Sequence, residues 1–197
     1  MFSIIARCVV FAALGSSAGG CRAVERPVSP WRLEGFPGAA IEVEPFPLDP
    51  GTTWRFRDRL DPAAPPLELR LAGDAGALTL EGAREGGVTI ARNGDFLEIS
   101  KDGRVVDRPL RFSGRVGESW RSGDGQATAF GYDRLKLGGG DRRALVIGVD
   151  RRTAKGRERD LYWFVPAMGW VRLRTEREGR AIRDAFLVDP EPPEPPN

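Results

Sequence analysis

Apolar and polar side chains alternate with a period of two along most of this chain, the spacing of strands with one buried face. In Thr53-Trp-Arg-Phe-Arg-Asp-Arg-Leu60, Trp54, Phe56 and Leu60 fall on one face and Arg55, Arg57 and Arg59 on the other. Leu67, Leu69 and Leu71 alternate with Glu68 and Arg70. Further apolar runs follow at 78–80, 88–90, 96–99, 110–112, 126–137, 145–149, 161–165, 169–175 and 182–188. Gly73-Asp74, Gly86-Gly87, Asn93-Gly94-Asp95, Lys101-Asp102-Gly103, Gly138-Gly139-Gly140 and Lys155-Gly156 separate them. Asn-Gly and Asp-Gly between alternating runs are hairpin signals. No window of about 12 residues carries an apolar stripe at helical spacing. The pattern predicts an all-β fold, a curved antiparallel meander of about ten or eleven strands. So large a sheet must curl or fold over to hide its apolar face, giving a half-barrel or barrel, with a sandwich as the alternative.

The first residues depart from this pattern. A short start containing Arg7 leads into the apolar run Cys8–Leu14 and then the small residues Gly15–Gly20 before Cys21. The run is well short of the ~20 residues that span a bilayer, so residues 1–20 read as a removable leader. Ala18-Gly19-Gly20-Cys21 resembles the lipobox of bacterial lipoproteins, with Ala18 where that motif favours Leu. The resemblance implies that Cys21 becomes the acylated first residue and anchors the protein to a membrane. Cys21 is the only cysteine after the leader, so it has no partner for an internal disulfide. Arg22 follows it. By analogy with the sorting rule of enteric bacteria, the lack of Asp there points to the outer membrane, facing the periplasm.

Residues 21–39 hold Pro27, Pro30, Pro37, Gly35 and Gly38 with little periodicity and read as a lipidated N-terminus and tether. The β domain is expected over 40–189, followed by a Pro/Glu-rich tail at 190–197 that cannot build a core. A membrane barrel would turn apolar side chains to lipid and polar ones inward; lipidation and the short strands favour a domain outside the bilayer.

Composition then excludes whole classes of chemistry. The 197 residues carry 30 Lys+Arg against 28 Asp+Glu and no histidine. The balanced charge argues against a nucleic-acid partner, and the lack of histidine removes His-based triads and His-ligated metals. No nucleophile elbow, phosphate-binding Gly loop or metal cluster is present, so no catalytic residue, metal ligand or cofactor is assigned. Arg55, Arg57, Arg59, Arg142-Arg143 and Arg151-Arg152 could meet phosphates, but Asp58, Glu68, Asp141, Asp150, Glu158 and Asp160 lie near enough in sequence to pair with them on a solvated face.

Three segments remain: Phe46-Pro-Leu-Asp-Pro-Gly-Thr-Thr-Trp54, Gly117-Glu-Ser-Trp120, and Tyr162-Trp-Phe-Val-Pro-Ala-Met-Gly-Trp-Val171. Together they resemble a set of uncharacterised bacterial exported lipoproteins that open with Pro-Leu-x-x-Gly-x-x-Trp, repeat Gly-x-x-Trp midway and close with Trp-Phe-x-Pro-x-x-Gly-x-Val. That resemblance covers about residues 45–188 and implies a curved sheet similar in outline to the half-barrels of periplasmic lipoprotein carriers. The candidate ligand-facing or core aromatics are Trp54, Phe56, Trp120, Trp163 and Trp170. Inward positions are assigned to Trp54, Phe56, Leu69, Trp120 and Trp163. The leading expectation is a non-enzymatic, lipid-anchored cell-envelope domain that binds a protein partner or contributes to envelope structure. The alternatives are a carrier or sensor holding an apolar ligand in the concave face, and a glycan-binding module with aromatics on an exposed platform. A cavity between the inward residues would favour the carrier.

Overall fold

The computed structural model describes residues 33–34, 37–74, 78–82 and 88–188. Cys21, the leader and the tail at 190–197 lie outside the described residues. Among those described, twelve strands form one antiparallel sheet. They are β1 (Thr53–Asp58), β2 (Leu67–Ala72), β3 (Leu78–Glu81), β4 (Val88–Asn93), β5 (Phe96–Lys101), β6 (Arg104–Arg111), β7 (Ser119–Ser122), β8 (Gly125–Leu137), β9 (Gly140–Thr153), β10 (Gly156–Val165), β11 (Gly169–Arg177) and β12 (Arg180–Leu187). The all-β meander is the one the alternation predicts. The strand absent from the apolar runs is β7, the short strand that begins around Trp120 after the Gly117 turn, which pairs with the start of β8 through Trp120↔Ala127.

Spatial order runs β6-β5-β4-β3-β2-β1-β12-β11-β10-β9-β8-β7, so two six-stranded meanders meet where β1 pairs with β12. The edges are β6 and β7, which are consecutive in sequence. Curling brings them together: Trp120 Nε1 donates to Arg108 O at 2.8 Å, and Arg108 N donates to Ser122 Oγ at 2.8 Å. Side chains rather than a continuous backbone ladder thus join the two edges, and the sheet becomes a nearly closed barrel. β1 turns Arg55 and Arg57 outward and buries Trp54 and Phe56, the reverse of a lipid-facing strand. Leu60, expected on the buried face with them, lies beyond the end of β1 and is 54% exposed.

The interior is filled partly by the chain that precedes β1. Ile41 and Val43 belong to the buried core, and Phe46 packs its ring against Trp54, Phe112, Phe164 and Trp170 at 5.3–6.2 Å between centroids. Tyr132 fixes this plug by donating its hydroxyl to Ala40 O and accepting from Glu42 N. Docking begins before the expected boundary at residue 40. Glu34 and Tyr132 exchange two backbone hydrogen bonds of 2.6 and 2.7 Å, and Gly38 N donates to Val116 O. Those described residues of the expected tether are therefore joined to the sheet.

A second apolar cluster lies on the opposite face: Leu137, Ala144, Val146, Leu161, Trp163, Val165 and Val171, with Leu33, Phe130, Leu135, Met168 and Leu187 packed on it. β9 and β10 consequently bury both faces, which is why 145–149 and 161–165 read as continuous apolar runs rather than alternating ones. This corrects one inward assignment. Tyr162 and Phe164 face the barrel interior, so Trp163 between them faces outward.

Candidate functional site

The five candidate aromatics divide by position. Trp54 crosses the interior to donate its Nε1 hydrogen to Met168 O at 2.7 Å, and its ring stands edge-on to Trp170 at 4.9 Å. Gly169 makes room for it: at φ +74°, a Cβ there would lie 2.9 Å from the Trp54 Nε1. Phe56 shares the same core, and Trp120 sits at the β6–β7 seam beside Phe96, with centroids 6.5 Å apart. Trp163 is on the outer cluster, where Asp133 Oδ2 accepts its N–H at 3.0 Å and the Arg172 guanidinium lies 4.4 Å above its ring. All five are buried; none forms an exposed platform. Self-packing rings at 4.9–6.2 Å occupy the aromatic half of the interior.

The other half is polar. Alternation along the inward face continues past the apolar residues into charge: Leu145, Ile147 and Val149 lead to Arg151, Phe164 and Tyr162 lead to Asp160, Leu173 leads to Thr175, and Ala185 leads to Arg183. Arg151 is the centre. Its Nη2 lies 2.8 Å from Asp107 Oδ2, its Nη1 2.7 Å from Asp160 Oδ2, and its Nε 3.2 Å from Asp124 Oδ1. The last contact has ion-pair distance but not hydrogen-bond alignment, so the buried Nε–H has no hydrogen-bond acceptor. Asp107 is fully buried and accepts hydrogen bonds from Ser122 Oγ and, at 2.9 Å, from Arg108 N. One carboxylate therefore joins β6, β7 and β9 across the barrel seam.

Burial disfavours the charged Arg151 guanidinium, but Asp107, Tyr162, Asp160 and Asp124 more than offset it and hold its pKa above the usual value. Asp160 responds oppositely. Burial raises its pKa to about 6, against the pull of Arg151 and the Thr175 hydroxyl at 2.9 Å, with Asp107 and Glu158 adding to the rise. Arg183 is lowered to about 10 by burial, opposed by Asp58 and Asp160. The expectation of a solvated face for Arg151-Arg152 is thus corrected at Arg151, which pairs with Asp160 as expected but as an interior cation. The inward alternation could have marked Arg151, Asp160, Thr175 and Arg183. Asp107 is hidden by the irregular register of β5 and β6, which breaks the count from Leu110.

At the rim, sharing Arg151 and Asp124 with this network, Asp124, Gly125, Gln126, Asp150, Arg151, Arg152 and Arg157 line a groove of about 540 Å³. A smaller hollow of about 250 Å³ shares Asp150 and Arg157 and reaches Arg159, Glu176 and Glu178. Asp150 is already held by Arg159 through two hydrogen bonds of 2.9 and 3.0 Å.

No protein-family model matches the chain, and no curated protein sequence matches it. Among solved structures it is similar to the hypothetical lipoprotein YmcC from Escherichia coli (K12), at 12% identity and a TM-score of 0.33, covering 73% of this chain and 86% of that one.

Proposed function

We propose that the protein is a lipid-anchored domain of the cell envelope with a non-enzymatic, partner-binding role, held at the periplasmic face of the outer membrane by an acylated Cys21. The observation that carries the choice is the occupied interior. A carrier needs its concave face open to an apolar ligand, whereas Ile41, Val43 and Phe46 of this chain fill that face and pack against Trp54, Phe164 and Trp170. The buried tryptophans likewise lend no support to a glycan platform. A partner would then meet the outside of the barrel, where the charged rim offers a groove. The anchor rests on the leader and on Ala18-Gly19-Gly20-Cys21.

Mass spectrometry of the protein purified from its own membranes tests both halves. The expected product begins at Cys21, carries covalent acyl chains, and retains no stoichiometric free lipid. Cys21→Ala should move the protein out of the membrane fraction, because stable anchoring requires about two lipid signals. A variant that still sediments after a salt wash contradicts the anchor, and a stoichiometric noncovalent lipid without a phosphate group in the native protein reinstates the carrier.

A further inference from the structure

The rim groove contains an arrangement that the stability of the hairpin does not explain. Arg152 and Arg157 are directly opposite one another on β9 and β10, and both are exposed. Like charges at such a pair disfavour the strand pairing. Neighbouring carboxylates give little relief. Asp150 is committed to the fork of Arg159 and reaches Arg157 only at 3.5 Å. Asp124 lies against Arg151 Nε, and among the described residues no carboxylate pairs with Arg152. The same groove is lined by Arg151, whose buried Nε–H lacks an aligned acceptor. One guanidinium fork without a carboxylate partner, a second held only by a single 3.5 Å contact to Asp150, and a buried N–H without an aligned acceptor therefore line one groove.

We propose that this groove is a phosphate-binding site, with Arg152 and Arg157 as its principal donors. Guanidinium forks match the oxygens of a phosphate in bidentate geometry, and a dianion between two of them removes their mutual repulsion. The groove of about 540 Å³, lined also by Gly125 and Gln126, has room for an organic substituent beside the phosphate, which admits a phosphate ester as well as the free anion. A phospholipid headgroup and a soluble phosphate ester share this chemistry. The site goes beyond the anchoring reading and does not depend on it.

Isothermal titration of the full-length protein in a maltoside detergent with inorganic phosphate, and with dihexanoyl phosphatidic acid below its micellar concentration, tests the site. Saturable binding with a Kd of about 1 mM or tighter is expected for at least one of them. Arg152→Gln/Arg157→Gln should weaken it at least tenfold, while Arg104→Gln, at the exposed start of β6, and Cys21→Ala leave it unchanged. Removing a like-charge pair should not lower the melting temperature; if the double variant does melt lower, the single Arg152→Gln, which breaks no ion pair, carries the test. Equal affinity for the two probes assigns recognition to the phosphate itself, and preference for phosphatidic acid assigns a lipid headgroup. Failure of the wild type to bind either probe, or undiminished binding by Arg152→Gln and by the double variant, overturns the proposal.

Discussion

Trp54 is the residue on which the aromatic half of the barrel turns, and its replacement has a computable consequence. The side chain is 1% exposed, and an indole buries about 150–250 Å². At about 25 cal/mol per Å² that is roughly 4–6 kcal/mol of transfer free energy, and tryptophan-to-alanine changes in cores cost about 3–5 kcal/mol. Trp54→Ala also strips Met168 O of its 2.7 Å donor, adding about 1 kcal/mol. The plug limits recovery, because Phe46 and Trp170 already touch several other rings and cannot both move into the void. A loss of about 4 kcal/mol from a total of about 5–15 kcal/mol should lower the melting temperature by about 10 °C or more. Thermal unfolding followed by far-ultraviolet circular dichroism reads it directly. Two phenylalanine variants separate packing from hydrogen bonding. Trp54→Phe abandons the Met168 carbonyl, whereas Trp170→Phe deletes a buried N–H that has no partner. Trp170→Phe should therefore be the milder of the two. A Trp54→Ala melting point within about 2 °C of the wild type would refute the argument that this ring is structural.

Two further changes probe the polar half. Arg151→Met leaves Asp107 and Asp160 buried without their cation, which should cost about 3–5 kcal/mol and loosen the β6–β7 seam; urea unfolding with hydrogen exchange at Arg108 N, whose acceptors are Ser122 and Asp107, measures both. Asp160 binds its proton more tightly when folded than unfolded, so its contribution is fully present below its ordinary value of 3.8 and is lost as pH rises through about 6. The stability of the wild type relative to Asp160→Asn should therefore fall by about 3 kcal/mol between those limits, and a difference that is flat or rises with pH contradicts the assignment.

The parts of this molecule that were legible in the sequence are those governed by local alternation. Trp54/Phe56 and Leu69/Leu71 declare which face of β1 and β2 is buried, because each strand has one wet side. The same rule fails at Leu161–Val165, where both faces are buried and the alternation vanishes; nothing local then says whether Tyr162 or Trp163 faces the interior. The polar centre is hidden for a different reason. Arg151 and Asp160 occupy inward positions by simple count, but a charged residue at such a position reads equally well as the end of a buried strand, since isolated burial of an ion is prohibitive. What makes burial tolerable is Asp107, which comes from β6, 44 residues away, and is brought to Arg151 only when the sheet curls. Ser122, from a four-residue strand, then completes the contact. The cation, its counter-ions and the closure of the barrel are therefore one event. The charged centre requires the edges to meet, and the edges, lacking a continuous ladder, are held by Asp107, Ser122 and Trp120. A strand-by-strand reading can find each of these residues without finding the relation among them, because the relation exists only in the closed sheet.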